Sequence, residues 1–74
     1  MLRNDSDKKY YTGVVKWFST EKGFGFIELE KKEIFACYSG IVSEGFKTLS
    51  KGQKVKFTLA NGDRGPEAEN IILI

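Results

Sequence analysis

The chain has no histidine, a single cysteine and a single proline among its 74 residues. Cys37 alone forms no internal disulfide, and without histidine it has no partner for a zinc site or a Cys–His nucleophile pair. The usual residue types of metal binding and general acid–base chemistry are therefore missing, and no cofactor is expected. Long apolar runs are missing too. Nothing approaches the roughly 20 residues that a membrane span needs, so no membrane partner is expected. The opening residues, MLRNDSDKKYY, carry mixed charge with no apolar stretch behind the basic ones, unlike a secretory signal. A cytoplasmic location is the expectation. Net charge is only +2, which does not identify a nucleic-acid partner; the distribution of charge matters more than its sum.

What is present describes a folded protein. Hydrophobic residues make up 41% of the chain and charged residues 30%, the balance of a soluble globular domain. This length supports one small core, burying about 60% of the extended surface. Residues 1–11 are polar and charged and are expected to form a flexible arm, with Tyr10 or Tyr11 packed on the domain edge. From residue 12 to 74, β-prone runs alternate with turn-forming clusters. The expected strands are VVKWF (Val14–Phe18), FGFIELE (Phe24–Glu30), IFACY (Ile34–Tyr38), QKVKFTLA (Gln53–Ala60) and EAENIILI (Glu67–Ile74). Five short strands without a convincing helix predict a compact all-β barrel, which also removes sheet edges. Val55, Phe57 and Leu59 alternate with lysines and are expected in the core. The apolar C-terminal IILI is expected to be buried, with a dimer contact as the alternative.

The second and third strands raise the functional question. Side chains alternate along a strand, so Phe24 and Phe26 share one face and Ile27 and Leu29 the other. Phe35 and Cys37 are likewise opposed to Ile34 and Ala36. Both faces of the hairpin are apolar, yet a small barrel has one interior. The aliphatic face is the better core, leaving Phe24, Phe26 and Phe35 outward beside Lys22. Alternation alone also allows the reverse, with the rings as core. Strand one does not decide the matter, because placing Lys16 and Trp17 together requires a bulge or a strand end.

The segment KGFGFI (Lys22–Ile27) matches the ribonucleoprotein signature K/R-G-F/Y-G/A-F-V through its first five positions, with Ile for Val at the sixth. It is preceded by GVVKWF and followed in order by IFACYSGI, EGFKTL, GQKVKF and RGPEAENI. This pattern, covering roughly residues 12–74, resembles the bacterial cold-shock domain family. The resemblance implies a five-stranded antiparallel barrel of the oligonucleotide/oligosaccharide-binding type, whose members bind single-stranded RNA and DNA on an aromatic surface of strands one to three. Position by position, it implies base stacking on Trp17, Phe24, Phe26, Phe35 and Phe46, with Phe18 and Tyr38 flanking. Lys16 and Lys22 would lie along the phosphate path, with Arg64 contributing from the last turn.

The sequence departs from the family where histidine is usual and Cys37 stands. A thiol is smaller than an imidazole and a weak donor, so the simple consequence is the loss of one stacking platform. An exposed thiol open to oxidation is the sharper reading, and an engineered substitution is a third. The implied function is that of an RNA chaperone which keeps RNA unpaired without metal or ATP. The alternatives are a dimeric single-stranded-DNA-binding replication inhibitor of the same family and a barrel that docks a protein. The missing histidine, and the lack of clustered carboxylates on the aromatic face, argue against an enzyme. A monomer is expected, with a homodimer as the alternative.

Overall fold

A computed structural model describes residues 9–43 and 48–74. The chain forms β1 (Tyr11–Ser19), β2 (Phe24–Leu29), β3 (Lys32–Cys37), β4 (Lys54–Gly62) and β5 (Gly65–Leu73), with one turn of 3-10 helix at Tyr38–Gly40. The strands close into a barrel in the order β1–β2–β3–β5–β4. This is the all-β five-stranded barrel that the alternation of β-prone runs and turns predicts. Consecutive neighbours are antiparallel, as is the β1–β4 pair. The barrel closes through a short parallel pairing of β3 with β5, Phe35 with Glu67 and Ala36 with Ala68.

Strand bounds differ from expectation where pairing overrides local pattern. β1 starts at Tyr11 because Tyr11 to Val14 pair with Phe57 to Lys54 of β4. Tyr38, expected in a strand, begins the 3-10 turn. The turn between β4 and β5 is tighter than the NGDRGP cluster suggests. Pairing continues to Gly62 and Gly65, which leaves only Asp63 and Arg64 at its tip.

The interior is aliphatic apart from one ring. Phe57, Ile27, Ile34, Ile71, Val15 and Val55 are its largest fully buried side chains. The aliphatic face of the β2–β3 hairpin therefore points inward, and Tyr11, Phe18 and Leu29 pack against this core from its rim. Two expectations fail. Leu59 is 37% exposed while Thr58 is buried, because the β4–β5 register shifts between Lys56 and Thr58 and the extra residue exchanges the faces of all that follow. The Thr58 hydroxyl is satisfied there, donating to the Glu69 carbonyl at 3.2 Å and accepting from the Asn70 amide at 3.0 Å. Of the C-terminal IILI, only Ile71 is buried; Leu73 and Ile74 are more than half exposed, although Leu73 still pairs with Val55 and the Ile74 N–H donates to the Lys54 carbonyl at 3.1 Å.

Candidate nucleic-acid interface

The outer face of β1, β2 and β3 carries the rings. A bulge in β1 places Trp17 there: its register against β2 shifts between Val15 and Trp17, so Val15 points inward and both Lys16 and Trp17 point outward. Trp17 then sits opposite Phe26, and Phe26 opposite Phe35. Gly25 permits this close crossing. A Cβ at Gly25 would collide with the Trp17 carbonyl oxygen and approach the Phe18 Cα to 2.5 Å, so any side chain would push β2 off β1.

The four rings form a closed cycle. Trp17 lies 5.9 Å from Phe24 and 5.6 Å from Phe26, while Phe35 lies 5.6 Å from Phe24 and 5.8 Å from Phe26. These separations fall in the range favoured by aromatic pairs, so each ring fixes two others. Trp17 is 40% exposed, and Phe24 and Phe26 are half-buried. Phe35 corrects the expectation of a wet ring. It lies on the outer face, apart from the interior cluster, yet is only 8% exposed. Phe24 and Phe26 flank it, and the Arg64 guanidinium covers it at 4.6 Å from the ring centroid.

The other expected residues are distributed around this cycle. Cys37 pairs with Phe24 across the β2–β3 ladder, and its half-buried thiol shares the face of the rings. Tyr38 is 54% exposed; its backbone N–H donates to the Gly23 carbonyl at 2.9 Å, which fixes it beside the turn that carries the exposed Lys22. Phe18 is not part of the cycle, because it packs against the interior from the rim. Phe46 lies outside the described residues.

Sequence reasoning missed Glu33. Its carboxylate forms an ion pair with the Lys16 ammonium across the outer face. The Glu33 hydrogen bond, followed by the charge of the same carboxylate, holds Lys16 above its ordinary pKa of 10.5. Alternation in β3 was the available signal, since Glu33 stands two residues before Phe35 and shares its face. A second missed contact joins the turn after β1 to the long loop, where the Thr20 and Thr48 hydroxyls lie 2.7 Å apart. Among the described residues, no group of three or more potential ligands is placed to hold a metal ion.

A closed five-stranded barrel with aromatic rings and basic side chains on one outer face defines the oligonucleotide-binding class of barrel. The model of the 'Cold-shock' DNA-binding domain family matches residues 11–74, and the chain belongs to that family, one of nucleic-acid binders. It is 56% identical to the cold shock-like protein CspLB of Listeria monocytogenes over 61 residues, spanning 81% of this chain and 92% of the relative. Identity to the major cold shock protein CspA of Bacillus cereus is 53% over 62 residues, spanning 82% of this chain and 92% of CspA. The solved structure of drosophila Unr CSD456 shares the fold with a TM-score of 0.77 at 18% identity; the match covers 93% of this chain and 28% of that one. No helix among the described residues is long and apolar enough to cross a membrane.

Proposed function

We propose that the protein binds single-stranded RNA or DNA by stacking bases on the outer rings, and acts as a cytoplasmic RNA chaperone. The observation that supports this reading best is the closed cycle of Trp17, Phe24, Phe26 and Phe35 on the outer face of the barrel. Unpaired bases present flat apolar faces, and each one stacked on a ring contributes roughly 1–3 kcal/mol. Trp17, Phe24 and Phe26 offer the accessible platforms. Phe35 acts through Arg64, whose outer guanidinium face is itself a stacking surface for a base. Lys22 and Arg64 neutralise phosphate, and Lys16 joins them where phosphate displaces the Glu33 carboxylate. Phe18, Cys37 and Tyr38 border the path, and Phe46 is the further stacking ring that the family resemblance implies. A duplex hides its base faces, so single strands are preferred. Binding them draws RNA away from hairpins by mass action, which requires neither catalysis nor a cofactor.

Trp17 reports on its own site. Its fluorescence should be strongly quenched by an oligothymidine, only weakly by the same length of duplex, and less as salt is added. Phe24→Ala should weaken that binding by roughly 1–3 kcal/mol. An unchanged spectrum at saturating oligonucleotide would sink the proposal and favour a protein partner for this face.

A further inference from the structure

Away from the rings, the barrel carries a second basic and aromatic surface at the seam between β1 and β4. Lys54 and Lys56 lie two residues apart on one strand, and both neighbours facing inward, Val55 and Phe57, are fully buried. The lysines therefore project from the outer side, roughly 6.8 Å apart at a rise of about 3.4 Å per residue. The Lys56 ammonium sits 5.3 Å over the ring of Tyr10, which is itself 37% exposed. Among the described residues neither lysine has a carboxylate partner, in contrast to Lys16. Two unneutralised ammonium groups in a row beside an open ring complement a polyanion with flat bases.

This surface is continuous with the ring cluster. Val14 pairs with Glu28 of β2 on one side and with Lys54 of β4 on the other, so the outer side of β1 floors both. A strand leaving Trp17 along β1 passes Lys16 and reaches the 40% exposed Val14. There Glu28 repels phosphate from the β2 side, while Lys54 and then Lys56 attract it from the β4 side.

We propose that Lys54 and Lys56, with Tyr10, form a second contact zone for the phosphate backbone of a single strand whose bases are stacked on the ring cluster. The zone extends the ring-stacking reading given above and rests on it. Its signature is a dependence on ligand length. A short strand fills the rings alone, and a longer one runs on across the seam.

The test compares oligothymidines of about 6 and about 16 nucleotides, within the span that one barrel of this class covers. Affinity is measured against salt for the wild type, for K54Q/K56Q and for K54R/K56R. The Gln variant should bind the short strand like the wild type. On the long strand it should bind more weakly, with the slope of log affinity against log salt reduced by roughly 1.4, or roughly 0.7 per lost phosphate contact. The Arg variant should keep the wild-type slope at both lengths, and unchanged thermal melting of both variants verifies the fold. Equal loss at the two lengths, or no loss at either, overturns the second zone while leaving ring stacking intact. Failure of the wild type to bind either strand overturns both.

Discussion

The Arg64 guanidinium, at the tip of the β4–β5 turn, stacks 4.6 Å over the ring of Phe35 in β3. This contact divides the aromatic face into two kinds of ring. Trp17 remains open to solvent, whereas Phe35 is nearly sealed. Phe35→Ala should consequently cost roughly 1.5–3 kcal/mol of stability, the range for burying such a side chain. Trp17→Ala should cost clearly less, because much of its surface is already wet. Urea unfolding of the two variants provides the comparison; equal losses would mean that the guanidinium does not shelter the ring in solution.

The Lys16–Glu33 pair gives an alkaline signature. A lysine whose pKa is raised in the folded state contributes stability that is fully present below the unfolded value of about 10.5 and is lost as pH rises through the folded one. Melting temperature should therefore fall more steeply above that point in the wild type than in Glu33→Gln. Both groups are half-exposed, so the difference should shrink with salt. Parallel alkaline limbs for the two proteins would count against the pair.

The turn between β2 and β3 places two side chains where glycine or asparagine is favoured. Glu30 has φ 50° and Lys31 φ 71°, while Leu29 and Lys32 still pair across the hairpin. Positive φ at both central residues is the type I′ arrangement that prefers Asn-Gly. Left-handed backbone costs an ordinary L-residue roughly 1–2 kcal/mol, so the double change Glu30→Asn, Lys31→Gly should stabilise by about that amount. Chemical unfolding is the measure, and a lower midpoint would refute the expectation.

Much of the fold was legible in the residues themselves. The alternation of FGFIEL and EIFAC separated an aliphatic face from a ring face, and the match to Val55 and Phe57 favoured the aliphatic one for the interior, although alternation alone allowed the reverse. The bulge in β4 was not legible, and the one in β1 was foreseen only as one of two ways to bring Lys16 and Trp17 together. Their positions depend on which residues a partner strand offers, and one inserted residue reverses the meaning of every later alternation. Leu59 and Thr58 exchanged faces for that reason, whereas at Trp17 the same device gathered the ring cluster. The shelter over Phe35 was equally invisible, because Arg64 reaches it only after the chain has closed the barrel. Glu33 could have been found: the alternation that set Phe35 outward applied to it as well.

The parallel junction between β3 and β5 is the thinnest part of the barrel wall. Only Phe35 with Glu67 and Ala36 with Ala68 pair in the strands themselves. The next link is the isolated bridge of Ile41 with Ile71, and a cleft of about 240 Å³ occupies the gap between them. Arg64 and Phe35 belong to opposite banks of this junction and meet above it. A ligand resting on both would act as a clasp, so whatever strengthens its grip also resists the splitting of the wall. Under the proposed binding mode, the grip on a ligand and the closure of the barrel would depend on the same seam.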